Sequence, residues 1–190
     1  MTTHNENCAP AAMKMSRCFA WPNKSTFSIP PISAFVERWL NGGSTIIDPF
    51  ARNATYATYT NDIDPESSAA YHMEAMVFLA MLIDRGVKAD RIIFDPPYSP
   101  TQIARSYRNA GLSVTMTDTQ SAKLKGDCRK LFRKLAEPGC VVLSFGWNTC
   151  GMGEGWITEE ILLVSHGGDH NDTICAAHRL SATAQPPRRS

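Results

Sequence analysis

Eight residues near the middle of the chain, Arg91-Ile92-Ile93-Phe94-Asp95-Pro96-Pro97-Tyr98, restrict its fold more than any others. The apolar half reads as a short buried strand. The two prolines end it abruptly, because neither can donate to a sheet ladder and each holds the residue before it in extended backbone. An acid, Asp95, is thereby left at the carboxyl end of a strand on a turn with little freedom. Two more strands end on acids: Thr45-Ile46-Ile47 runs into Asp48, and a strand over 55–60 runs into Asn61-Asp62. Ligands of open α/β sheets gather at the carboxyl ends of the strands, so the three carboxylates are expected to face one crevice.

The remaining pattern alternates helices with strands. Pro30-Pro31 opens a helix over 32–40 that places Ile32, Phe35, Val36 and Trp39 on one face and stops at Asn41-Gly42-Gly43. Asp64-Pro65 reads as a helix start. Tyr71-His72-Met73 reads as a brief strand ending on Glu74, in preference to the middle of one long helix over 65–85. Residues 119–136 predict an amphipathic helix, with Leu124, Cys128, Leu131, Phe132 and Leu135 on the buried side. Its other side carries Lys123, Lys125, Arg129, Lys130, Arg133 and Lys134. After Pro138-Gly139 a buried strand over 140–145 opens into a Gly-rich loop over 146–155. Strands over 160–165 and 173–178 then form a hairpin around Gly167-Gly168-Asp169-His170-Asn171-Asp172. The expected architecture is α/β, a mainly parallel sheet with helices on both faces and a C-terminal antiparallel hairpin. With 190 residues, 43% of them hydrophobic, it fits a single domain over 24–180, between a loose leader, 1–23, and a disordered tail, 181–190.

Composition excludes several classes. The formal charge of +1 is too small for nucleic-acid binding by bulk charge. It is unevenly spread, however: residues 99–138 carry a net +5 and the remainder −4. No apolar run has the ~18 residues a membrane helix requires, and the first twenty residues lack a hydrophobic signal core; the expected setting is the cytoplasm. Six cysteines without a Cys-x-x-Cys pair argue against zinc and against a disulfide framework, so they are read as reduced core residues with no metal site.

Asp95-Pro96-Pro97-Tyr98 resembles the catalytic motif of amino-group methyltransferases that use S-adenosylmethionine, above all DNA N6-adenine methyltransferases. The chemistry accounts for the residue types. An exocyclic purine amine is a poor nucleophile; a carboxylate and a backbone carbonyl accepting its two hydrogens draw it toward tetrahedral geometry. Asp95 and the Pro96 carbonyl would do this, Pro97 would stiffen the turn, and Tyr98 would offer a face to a base flipped from its stack.

The resemblance extends from about Lys24 to Ala177 and implies a Rossmann-like class I methyltransferase fold. Asp48-Pro49-Phe50 looks like the family's first cofactor motif. Relatives place glycines after it where this chain has Arg52-Asn53-Ala54; small Ala51 and Ala54 would permit close approach, and Asn53 would tolerate a left-handed backbone. Asp62 matches the acid that binds the ribose hydroxyls. Glu74 would take the cofactor's adenine amino group. Thr26-Phe27-Ser28-Ile29-Pro30 resembles the segment near the cofactor carboxylate, with Phe27 reading equally as core.

The wider resemblance is to small phage-encoded adenine methyltransferases, which implies double-stranded DNA as partner and a bacterial or phage-infected host cytoplasm. Only 41 residues separate Tyr98 from the strand at Cys140, too few for a separate recognition domain. Sequence reading would fall to the segment 99–108, the loop 146–155 and the hairpin tip 167–172. Arg105, Arg108, Lys123 and Lys125 are the candidates for phosphate, and Trp147, Asn148 and His170 for the target; His166 and His170 read equally as locally held turn residues. Small size implies relaxed specificity or a second subunit, a homodimer. Within the enzyme class the alternatives are an RNA base or cytosine N4 as acceptor. Outside it, the altered glycine pattern leaves a nucleic-acid-binding or decoy protein without turnover.

Overall fold

A computed structural model describes residues 12–23, 25–111, 121–149 and 151–182. Seven strands make one sheet: β1 (Lys14–Phe19), β2 (Ile46–Asp48), β3 (Tyr59–Thr60), β4 (Ala89–Phe94), β5 (Ala136–Gly146), β6 (Trp156–Ser165) and β7 (Thr173–Leu180). Their order is β1-β6-β7-β5-β4-β2-β3. β7 is antiparallel to both neighbours, and every other pairing is parallel. The expected hairpin is therefore present, and its tip lies at the edge where β2, β4 and β5 end, because Gly146 pairs with Ile174.

Period-2 alternation divides the core between two layers. On one face Ile47, Ile92, Phe94 and Val142 meet α2 (Ala75–Asp84) and α4 (Ser121–Leu135) through Phe78, Leu82, Cys128 and Phe132. On the other, Ile46, Ile93, Val141, Leu143 and Phe145 meet α1 (Pro30–Leu40) through Ile32, Phe35 and Val36. β4 and β5, covered on both sides, read in sequence as continuous apolar runs for this reason. α3 (Pro100–Asn109) follows Asp95-Pro96-Pro97-Tyr98 directly, begun by Pro100 and capped by the Ser99 hydroxyl, which accepts from the Gln102 N–H at 3.2 Å. The segment 99–108, read as a loop, is thus helical.

Other departures have local causes. The leader supplies β1, an edge strand pairing in parallel with β6; its exposed side chains have no apolar period to reveal it. The strand expected over 55–60 is only Tyr59–Thr60, and no helix starts at Pro65. There the Asp64 carboxylate accepts the Glu66 N–H at 3.0 Å, turning the chain locally instead of capping a helix. Tyr71 makes a single parallel bridge to Asn61, the remnant of the brief strand expected before Glu74. Cys128, Cys140 and Cys175 are buried and Cys18 half-buried, all as free thiols; burial pushes Cys128 and Cys140 up to about 12. Cys8, Cys150, the first eleven residues, Lys24 and the tail beyond 182 lie outside the described residues. Among those described, no helix is long and apolar enough to cross a membrane, and no cluster could hold a metal ion.

One polar knot ties the leader to the sheet. The buried Glu160 of β6 accepts Arg38 Nη1 and Nη2 at 2.7 and 3.0 Å, accepts Trp39 Nε1 at 3.0 Å, and lies 3.4 Å from Lys14 Nζ. These donors hold its carboxyl below the ordinary glutamate range. Glu160→Ala strands the indole N–H and the guanidinium, and should lower stability by about 2 kcal/mol. A fall in the urea midpoint at unchanged slope is the expected measurement.

Candidate active site

Asn61 organises the crevice. Its Nδ2 donates to Pro49 O at 3.1 Å and Met73 O at 3.0 Å, and its Oδ1 accepts the Met73 N–H at 3.2 Å. Its backbone N–H donates to Asp48 O at 2.9 Å, and its carbonyl accepts the Ala51 N–H at 2.8 Å. One fully buried amide thus joins the turn after β2, the end of β3 and the approach to α2. It fixes where Asp48, Asp62 and Glu74 stand. The sequence marks Asn61 only as the residue before an acid.

Asp48 is 1% exposed and accepts the Phe50 N–H at 3.0 Å. Loss of water pushes its carboxyl up to about 8, with Asp95 and Asp62 adding to the rise against that hydrogen bond. It is therefore largely protonated at neutral pH. In the turn that follows, Arg52, and not Asn53, takes the left-handed conformation, with φ at 49°. The Asn53 side chain instead accepts the Ser68 N–H at 3.0 Å, which leaves it a bracing role. A left-handed arginine is a conformation L-residues avoid, and it stands where the resembling family places glycine. Asp62 is pinned by both oxygens, Oδ2 accepting the Arg52 N–H at 3.0 Å and Oδ1 the Asp64 N–H at 2.9 Å. Glu74 begins α2, and its Oε1 accepts the Tyr107 hydroxyl of α3 at 2.6 Å. Tyr107 had no distinguishing signal in sequence.

Asp95 stands half-buried at the end of β4, with Pro96 buried behind it. Burial pushes its carboxyl up to about 6, although the Tyr98 and Thr26 hydroxyls and the charge of Arg52 oppose the rise. Tyr98 donates its phenol to Asp95 Oδ1, and burial beside that carboxyl keeps the phenol protonated well above its ordinary range. Gln102 Oε1 accepts the Tyr98 N–H at 2.6 Å, so the first turn of α3 holds the motif from below. Trp147, 40% exposed just past β5, brings its ring centroid within 5.4 Å of the Tyr98 ring at 53°. Lys125 Nζ lies 5.9 Å from the Tyr98 centroid. Tyr98 and Trp147 thus form a pair of aromatic rings with an ammonium at one side.

The remaining candidates divide. Phe27 packs edge-on against Phe145 at 5.0 Å and Tyr56 at 6.0 Å, a core position, while its neighbour Thr26 reaches Asp95. Arg105 and Arg108 are exposed on α3, and Lys123 is exposed on α4. His170 is exposed at the hairpin tip, with only its backbone bonded to Gly167. His166 is buried between Ala20 O at 2.7 Å and Thr173 Oγ1 at 2.9 Å, a structural role. Ala20, just past β1, is thus held beside β6, and Thr26 beside Asp95.

No protein-family model matches the chain, and no curated protein sequence matches it. Solved structures do. SMU.776, described as a methyltransferase and crystallised with SAH, matches with a TM-score of 0.55 at 10% identity, over 76% of this chain and 47% of that one. The Escherichia coli protein yhhF, described as a methyltransferase, matches at 0.52 and 12%, over 85% and 92%. A SAM-dependent methyltransferase from Agrobacterium tumefaciens matches at 0.50 and 11%, over 79% and 60%. The chain spans about half the length of SMU.776 and nearly all of yhhF. At these identities the likeness establishes the fold, the Rossmann-like arrangement of SAM-dependent methyltransferases.

The elevated Asp48 has a signed consequence. Its folded-state value lies above the unfolded one, so ionisation opposes folding as pH rises from about 4 through 8. Asp48→Asn keeps an oxygen for the Phe50 N–H and cannot ionise. Its melting temperature relative to the parent chain should climb between pH 5 and 8 and level off above, a difference measurable by calorimetry.

Proposed function

We propose that this chain transfers a methyl group from S-adenosylmethionine to the exocyclic N6 of adenine in DNA. The observation that carries the reading is the rigid Asp95-Pro96-Pro97-Tyr98 turn at the carboxyl end of a central strand, with Trp147 beside Tyr98 and Asp48 and Asp62 on the same edge. The methyltransferase fold of the matching structures supports the cofactor, and SMU.776 was crystallised with SAH.

The residues present fit that cofactor. Each Asp62 oxygen already accepts one N–H and keeps a second lone pair, an acceptor pair suited to a ribose diol. Glu74 accepts from Tyr107 and has further acceptor capacity for an amine. When bound, S-adenosylmethionine supplies an electrophilic methyl group.

Asp95 and the Pro96 carbonyl accept the two hydrogens of the target amine, orienting its lone pair. Tyr98 and Trp147, in ring contact at 5.4 Å, present an aromatic surface on which the extruded base stacks, worth about 1–3 kcal/mol per base. An incoming amine that takes the acceptor position held by the phenol on Asp95 displaces it. Arg52 favours the ionised form of Asp95, the form that accepts.

Asp95→Ala should lower methyl transfer by about 100-fold or more while cofactor binding, read by calorimetry, persists. In the parent chain the rate should rise with pH through about 6 and level off above, following ionisation of Asp95. Mass spectrometry of nucleosides from expressing cells should find N6-methyladenine in DNA. Label confined to RNA or to cytosine would overturn the acceptor, and unimpaired turnover by Asp95→Ala the mechanism.

A further inference from the structure

Behind the catalytic turn lies a small cleft that neither the motif nor the fold accounts for. It is bounded by Pro96 after β4, Ser144 near the end of β5, Asn148 in the following loop, and Lys125 and Arg129 one turn apart on α4. No acid lines the cleft. Among the described residues, Arg129 Nε is buried with no hydrogen-bond partner. A guanidinium N–H left dry and unpaired is costly, and such a group persists where something else completes it.

The chemistry of the lining states what that is. Two cations, an amide and a hydroxyl supply hydrogen-bond donors against no negative charge. The field is felt nearby: His178 is pushed down to about 4, first by burial and then by the charge of Arg129. This neutral imidazole bonds Ser144 Oγ and Thr158 Oγ1, each at 2.9 Å, fixing the serine at the cleft wall. The volume of about 20 Å³ admits one or two water-sized groups and excludes a purine ring.

We propose that this cleft is an anion subsite that takes a phosphate oxygen of the substrate strand, next to the base presented to Asp95. Arg129 donates Nε–H to the oxygen, and Lys125, already beside the Tyr98 ring, links phosphate and base recognition. The anion's identity as a phosphodiester rests on the functional reading above; the presence of an anion site does not. Arg129 becomes a substrate-binding residue, distinct from the outward-facing lysines of the same helix.

The test uses the full chain with Arg129→Gln, Lys125→Gln and Arg129→Lys, each checked for an unchanged melting profile. Arg129→Gln should weaken binding of a DNA duplex by about 10-fold and reduce the salt slope by about one. Arg129→Lys should recover part of the affinity, and S-adenosylmethionine binding should stay at the parent value. Independently, the Arg129 Nε–H resonance of the 15N-labelled parent, assigned by its loss in Arg129→Gln, should shift with inorganic phosphate. A shift with phosphate but no DNA binding would keep the subsite and sink the nucleic-acid reading. An unmoved resonance together with unchanged DNA affinity and salt slope would overturn the subsite.

Discussion

The buried side chain of Asn61 is the constraint on which the crevice depends. A parallel sheet leaves its strand ends with carbonyls and N–H groups that no neighbour completes. Here one amide completes three of them, on Pro49 and Met73, while its own backbone completes two more. The turn after β2 cannot then drift from the end of β3, and the approach to α2 cannot drift from either. Asp48, Asp62 and Glu74 inherit their spacing from that junction. A carboxylate in the same place could accept but not donate, and would leave two carbonyls dry.

Electrostatics at the edge follow from crowding acids where water is scarce. Three carboxylates in one crevice cannot all remain ionised at ordinary cost. The structure resolves this by depth. Asp48, the deepest, keeps its proton; Asp62 is satisfied by two backbone N–H donors; Asp95 sits between, balanced by two hydroxyls and a nearby guanidinium. The chain places a cation at position 52, where a glycine would contribute no charge. The left-handed backbone there has a return in the field it brings to Asp95.

Much of this was legible in the residues. Apolar runs ending on acids marked β2 and β4, the Pro-Pro pair marked the rigid turn, and helical spacing found α1 and α4. What escaped has a common physical character. β1 lies exposed at the sheet edge, so no burial pattern betrays it. The Asn61 junction, Thr26 at Asp95 and Tyr107 at Glu74 are tertiary hydrogen bonds between segments far apart in sequence. Propensity favours Asn53 for the left-handed position, and tertiary context gives it to Arg52. Helical spacing puts Arg129 with the other cations opposite the buried side of α4, and only the fold shows that its Nε is buried.

On the function proposed above, the hydrogen bond from Tyr98 to Asp95 is a surrogate for the target amine. An amine that displaces the phenol replaces one donor with another, so the contact at the reacting nitrogen is an exchange with little net gain. Affinity must then come from elsewhere, from stacked rings and charged contacts along a strand. A free amine of the right shape would find a pocket already answered. On that same reading a ligand opens the pocket by bringing remote contact, and the tyrosine is a threshold on what is admitted.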